Sequence, residues 1–540
     1  MADQTKRNRY VELALSYIPH LTQLVDKNQY SPTYGCFDRE YWHYRTLDFP
    51  CGMSQEFVLP FAMLYANEYP GNKFYQWPRM KELAIAGIKF AAKASHSDGT
   101  CDDYFPYERA MGALVFSLYA CTEAYQILGL DDPELVTFFR KRGDHLITTN
   151  ETGQLSNHQA FAALSLYNVY LITKDERYKK ASLERQQLTI SWQNEEGWFQ
   201  EYEGADPGYH SCSIAFLGKL FQKNKDESLI EPLKKAVDFA WHFMHPDGSY
   251  AGEYGSRNTY HFYPHGFEIM APYSEKAAQI ADAFLDGLPE DRRYHNDDDR
   301  MCCHCVYDWL QSWADHQEER PAPINTRPNM LQHYPNGGMV VVKTDDYYAI
   351  ANLRKGGVFK VYNQTECIDS DTGVIGELED GNVVVAHLMD AENKITADTE
   401  KREFTVEGVL SYRRAKLSSP FKVVLFRCFL LTFGRFIPNV TRSIIQKLLI
   451  TYKTRTSYRF KRSFKFTDTG ITVVDELPDA VPFKRVSIGT DATSIYVANS
   501  NVFQESVLRV PWKNPPESFL ADARKGGARW KREIGNPVAS

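Results

Sequence analysis

"ETGQLSNHQAFAALSLYNVYL" (151–171) is the stretch on which the fold turns. A turn around Gly153 gives way to a polar pair, and then Phe161, Leu164, Asn168 and Leu171 follow at helical spacing. Ser156 is the expected N-cap. Followed back by four residues, the line meets Asn157. An amide side chain therefore heads an apolar stripe in the first turn, where backbone N–H groups have no intrahelical partner.

The same unit recurs on both sides. Helical apolar runs are expected near 8–26, 53–69, 79–95, 108–129, 133–149, 156–173, 177–193, 210–223, 229–244, 273–285 and 302–316. Between some of them lie acidic and aromatic loops built on Gly99, Gly153, Gly197 and Gly248, which are 54, 44 and 51 residues apart. A period of about 50 is two helices and two connections, and stacked hairpins bring alternate loops to one face. The expected fold is multidomain, α and β. An N-terminal α/α toroid, an incomplete barrel of hairpins, spans 1–320. After the Pro-rich "EERPAPINTRPNM" (318–330) the apolar period changes to two, and 321–540 is expected to be an antiparallel β-sandwich.

The net charge of −7 argues against general nucleic-acid binding. Hydrophobic residues make up 43 % and aromatics 14 %, with 33 Tyr and 9 Trp. That suits a globular core, and also a cleft whose flat rings stack on sugars. "MCCHCVYDW" (301–309) is dense in thiols, but no second half-site lies nearby. Buried free thiols are expected there, with no metal and no cofactor. The first residues show no signal-peptide pattern and no segment has about 20 uninterrupted apolar residues. The expected compartment is cytoplasmic, with a membrane surface as the alternative.

A toroid followed by a sandwich, with Asn157-His158 opening a helix and Tyr209 in "GADPGYHS" 51 residues after the His, resembles the heparinase II/III and alginate lyase group of polysaccharide lyases. The resemblance implies a catalytic set of Asn157, His158 and Tyr209, with the Tyr on a loop, and an acidic, uronic-acid-containing polysaccharide as substrate. Asn157 would bind the uronate carboxylate, His158 or Tyr209 would take the C5 proton, and Tyr209 would protonate the leaving oxygen. Trp42, His43, Tyr107, Glu108, Arg257, Tyr260 and His265 are the candidate substrate contacts. Arg257 is suited to a carboxylate by its fork of donors, unless it pairs with Glu253 or Glu268. The sequence departs from the group in the sandwich. Where a catalytic histidine would be expected, "YAIANLRKGGVFKVYNQTECIDSDTGVIG" (348–376) has none; Lys355 stands near that place and His387 lies further on.

Two rival functions remain open from the residues. One is another toroid enzyme, a hydrolase using acids such as Asp103, Glu108, Asp206 and Glu253, or a uronyl C5-epimerase. The other is a noncatalytic polysaccharide-binding protein of an assembly or export system. A final feature interrupts the sandwich at about 418–452. From Val409 to Thr467 there are 14 Lys and Arg and no Asp or Glu, and 420–453 is strongly apolar. Two readings follow: a basic amphipathic pair on an anionic membrane, or an apolar insertion packed on the toroid with its cations at the cleft entrance.

Overall fold

A computed structural model describes residues 2–151, 153–288, 294–295, 298–413, 419–446, 454–489, 501–502 and 512–535. Twelve helices precede the sheets: α1 (Ala2–Leu24), α2 (Val58–Ala66), α3 (Pro78–Ala94), α4 (Met111–Ile127), α5 (Pro133–Thr148), α6 (Ser156–Thr173), α7 (Glu176–Ser191), α8 (Pro207–Asn224), α9 (Ile230–Trp241), α10 (His265–Met270), α11 (Glu275–Gly287) and α12 (Val306–Asp315). The even-numbered helices pack in succession from α2 to α12, and α12 packs in turn on α2, forming the inner ring of the expected α/α toroid. The odd-numbered helices lie outside it, each against a neighbouring inner helix. The inner helix α4 is buried all round, with every residue from Met111 to Tyr125 out of solvent. An outer helix such as α9 buries one stripe, Leu233, Ala236, Val237 and Ala240.

Helix α10 lies between the expected helical runs at 229–244 and 273–285. It is six residues long and begins between Pro264 and Gly266. A Cβ on Gly266 would come within 2.6 Å of the Ala215 backbone, so glycine permits the close crossing of α10 and α8. Short length and close packing, not apolar periodicity, define this helix.

Short strands β1 (Gln200–Glu201) and β2 (Gly204–Ala205) form a hairpin between α7 and α8. Strand β3 (Tyr294–His295) pairs with β16 (Asn501–Val502). The five-stranded antiparallel sheet runs β4 (Met330–Tyr334), β5 (Met339–Lys343), β6 (Tyr348–Asn352), β7 (Val358–Tyr362), β8 (Cys367–Asp371) in sequence order. The nine-stranded sheet holds β9 (Gly373–Leu378), β10 (Val383–Val385), β11 (Lys394–Asp398), β12 (Glu403–Arg413), β13 (Thr454–Phe466), β14 (Gly470–Leu477), β15 (Phe483–Gly489), β17 (Trp512–Lys513) and β18 (Ala528–Gly535).

The smaller sheet is a middle layer. Val340, Val342, Ala349, Ala351, Phe359 and Val361 face the core shared with the larger sheet. Their neighbours Met339, Val341, Tyr348, Ile350, Val358 and Tyr362 join the toroid's core. Burial on both faces explains why "MVVVK" and "YAIAN" read as nearly continuous apolar runs. The Pro-rich linker is fixed as well: buried Arg327 donates to the carbonyls of Trp241 (2.8 Å) and Met244 (2.7 Å) and to the Tyr348 hydroxyl (3.1 Å).

The insertion forms helices α13 (Pro420–Thr432) and α14 (Pro438–Gln446) over the loop end of the toroid. Phe426 meets Phe105 edge-on, Arg427 pairs with Asp48, and Arg442 binds Glu151 at 2.7 Å. The rest of the stretch at 447–453 lies outside the described residues.

Candidate active site

Helix α6 begins at the expected cap itself. Leu155 is the extended N-cap residue and makes no side-chain cap, while Ser156 is the first helical residue and donates its hydroxyl to the Gln200 carbonyl at 2.8 Å. The open N–H of the first turn finds a carboxylate instead. Glu201 Oε1, on β1, accepts from the Asn157 backbone N–H (2.9 Å) and from its Nδ2 (2.8 Å). A buried anion at a helix start is favoured by the first-turn donors and the helix dipole. The carboxylate that Asn157 holds is thus internal to the protein, and its Oδ1 is buried without a hydrogen bond among the described residues.

Glu201 is fully buried, and burial pushes its pKa up to about 7 against the opposing pull of Arg257 and the Asn157 donors. Its Oε2 lies 3.7 Å from Arg257 Nη1. Arg257 therefore pairs with Glu201, not with Glu253 or Glu268. Its guanidinium carbon sits 4.0 Å from the centre of the Tyr209 ring and 4.8 Å from that of Tyr202, and Nε and Nη1 make no hydrogen bond among the described residues. A desolvated cation on aromatic faces gains about 2 kcal/mol from the ring quadrupole.

Tyr209 lies in the first turn of α8, not on the loop before it. Asp206 caps that helix: one oxygen accepts from the Tyr209 N–H (3.0 Å) and from Thr259, the other from the Arg257 N–H (2.8 Å). One buried carboxylate so fixes the backbones of both Tyr209 and Arg257. Burial raises the Tyr209 phenol well above its ordinary value, with Arg257 opposing, so it stays protonated. The His261 ring lies edge-on to Tyr209, 5.0 Å between centres. His261 is buried and its Nδ1 makes no hydrogen bond among the described residues. Burial, then His304 and Arg257, hold its pKa well below 6.5, so the imidazole is neutral.

Asn157, Glu201, Arg257, Tyr209 and His261 thus form a continuous chain of contacts. His158 is engaged differently: its Nδ1 lies 2.8 Å from Glu151, which also binds Arg442. Gly112 of α4 leaves the room that the His158 ring occupies. The loop from α3 to α4 adds Tyr107, stacked on His96 and 5.9 Å from the Arg435 guanidinium. Glu108 accepts from the N–H groups of Asp103 (2.9 Å), Tyr104 (2.6 Å) and Phe105 (3.2 Å) and so shapes this loop. Trp42 is half-buried and donates to the Leu24 carbonyl at 2.7 Å, whereas His43 is exposed between the Trp42 and Tyr44 rings.

Two of the expected substrate contacts are committed elsewhere. Tyr260 is buried and its hydroxyl donates to Glu253, which also pairs with Lys360 at 2.9 Å. His265 is buried, with its N–H on Asp308 (3.0 Å) and Nε2 on Asp315 (2.6 Å). Contact with a sugar through either would require these bonds to open. From the middle sheet, the Lys355 ammonium donates to the carbonyls of Glu253 and Gly255 and to Asn258 Oδ1, which pins the loop carrying Arg257. His387 is buried, and burial followed by the charge of Lys355 holds its pKa down to about 3. In "MCCHC", Cys302, Cys303 and Cys305 are buried and His304 pairs with Glu56; no group of three metal-ligating side chains forms among the described residues.

Glu201, His261, Tyr202 and the capping role of Asp206 were not singled out in the sequence. Glu201 lay within a loop of five acids between 194 and 210, and nothing in spacing separates it from its neighbours. His261 sat in "GEYGSRNTYHFYPHGFE" (252–268), where Arg257, Tyr260 and His265 were the residues singled out as substrate contacts.

No protein-family model and no curated protein matches the chain. Solved structures are similar in fold. The chondroitin AC lyase of Streptomyces coelicolor A3, solved with chondroitin sulphate, superposes with a TM-score of 0.53 at 12 % identity, over 90 % of this chain and 68 % of that one. A Paenibacillus xanthan lyase superposes with a TM-score of 0.51 at 11 % identity, over 90 % of this chain and 46 % of that one. The present chain therefore spans less than half the length of the xanthan lyase. At these identities the likeness is one of fold: the helical toroid and β-domain architecture is that of polysaccharide lyases.

Proposed function

We propose that the chain is a lyase that cleaves a uronic-acid polysaccharide by β-elimination. One observation carries the reading: the Arg257 guanidinium, whose Nε and Nη1 make no hydrogen bond among the described residues, lies over the ring of protonated Tyr209, which touches neutral His261. The uronate carboxylate binds Arg257, whose charge stabilises the enolate that forms when C5 loses its proton. His261, already unprotonated, takes that proton. The C5–H electron pair becomes the C4–C5 double bond, the C4–O bond breaks, and the leaving oxygen takes the Tyr209 proton. Proton transfer from His261 back to Tyr209 restores the resting site. Glu201, held by Asn157, keeps Arg257 in place.

The fold supports a carbohydrate enzyme of this architecture. The acids named for hydrolysis favour elimination, because each is already engaged: Asp206 as a cap, Glu108 by three N–H groups, Glu253 by Tyr260 and Lys360, and Asp103 by the Cys51 thiol at 3.1 Å. A panel of acidic polysaccharides, read for ultraviolet absorbance and for chain length, tests the proposal. Elimination raises absorbance as chains shorten. Shortening alone means hydrolysis, and neither change on any member leaves epimerisation or binding.

A further inference from the structure

The inserted helices turn one face to the toroid and leave the other without a partner among the described residues. Phe426, Arg427 and Arg442 are spent inward, on Phe105, Asp48 and Glu151. Outward, Phe421 is 76 % exposed, Leu425 60 %, Phe433 72 % and Phe436 72 %. Exposed apolar side chains are ordinary when scattered, but a run of them on one pair of helices marks a docking surface. Its charge says what docks. The segment around it holds 14 cations and no acid in a chain of net charge −7. On strand β13 these cations are matched, as Arg459 is by Asp479 and Lys461 by Glu407. Lys422 on α13 and Arg435 in the turn between the helices form no ion pair among the described residues and are exposed, Arg435 with its guanidinium between the Tyr107 and Phe436 rings.

We propose that this face docks on the surface of an anionic lipid bilayer. Apolar side chains flanked by unmatched cations enter the boundary between headgroups and acyl chains, and the cations remain among the lipid phosphates and carboxylates. The helices lie on the membrane and do not cross it: α13 has 13 residues, and no helix among the described residues is long and apolar enough to span. A second copy of the chain fits the face poorly, because a symmetric contact would bring the same unmatched cations together. The packed and membrane readings of this insertion are compatible, one for each face, and docking would hold the loop end of the toroid beside the bilayer. The inference does not depend on the reaction performed there.

Sedimentation of the full chain with vesicles tests it. Vesicles of phosphatidylcholine mixed with phosphatidylserine are compared with phosphatidylcholine alone, at low and high salt. The intact chain is expected to pellet with the anionic vesicles and to be released by salt. The combined variant Phe421→Ser, Leu425→Ser, Phe433→Ser and Phe436→Ser is expected to lose at least about tenfold in partitioning, and Lys422→Gln with Arg435→Gln about tenfold or more. Circular dichroism establishes that each variant is folded; if the apolar variant is not, the charge variant decides. No pelleting of the intact chain at low salt, or equal pelleting of intact and substituted chains, overturns the proposal. A concentration-dependent dimer lost with the same substitutions, without vesicle binding, would overturn it too and assign the face to a second copy.

Discussion

Tyr209 holds its proton because burial disfavours the phenolate more than Arg257 favours it. A protonated phenol beside a bound glycosidic oxygen is an acid, and phenylalanine keeps the ring that carries Arg257 while removing the proton. Tyr209→Phe is expected to lower kcat by roughly 10²–10⁴-fold with polymer affinity little changed. Near-normal turnover would make the hydroxyl dispensable. Glu201 gives a second expectation at this scale. Its folded pKa, about 7, exceeds the ordinary 4.5, so the folded chain binds an extra proton between those values. Its contribution to stability is full below the lower value and is lost as pH rises through the higher one. Between pH 5 and 8 the native chain should lose roughly 2–3 kcal/mol more unfolding free energy than Glu201→Gln, which keeps the acceptor but cannot ionise. Parallel stability curves from denaturant titrations would contradict this.

At the scale of elements, the candidate site is assembled where the α6 start, the β1–β2 hairpin, the α8 start and the 252–261 loop meet. The helical hairpins were legible because apolar side chains recur at the helical period in ten- to twenty-residue runs. Asn157 was legible because an amide heading an apolar stripe is out of pattern. Its partner was not, since β1 and β2 are two residues each and have no periodicity to read. Lys355 stood out only as a residue in the place of an expected histidine; the structure makes it a positioning residue whose ammonium gathers three oxygens of the Arg257 loop. Burial lowers its pKa to about 7, and its place can be taken by no apolar side chain without leaving those oxygens unmatched. Lys355→Met is expected to lower kcat/KM about 10–100-fold by misplacing Arg257. An unchanged kcat/KM in a variant with native circular dichroism would detach the loop from catalysis.

Across the whole molecule, the middle sheet belongs to two cores at once. The toroid's core includes Met339, Val341, Tyr348 and Ile350, and the sandwich's core includes their immediate neighbours Val340, Val342 and Ala349. Domains that share a sheet in this way unfold together, so calorimetry should show one transition; two separated transitions would mean that the layers are energetically independent. The change of apolar period near 330 was legible, and the nearly continuous runs "MVVVK" and "YAIAN" carry the mark of a sheet covered on both sides, but not which layer would cover each face. This architecture sets Arg257 on a toroid loop held from beneath by a sandwich lysine, and the account stands or falls on what that arginine recognises. The most direct measurement follows ultraviolet absorbance during incubation with a uronic-acid polymer and with the same polymer after its carboxyl groups are reduced to alcohols. We expect absorbance to rise with the first alone and to stay flat with Arg257→Met. Equal product from both polymers, or chains that shorten with no absorbance, would contradict elimination at a uronate held by Arg257.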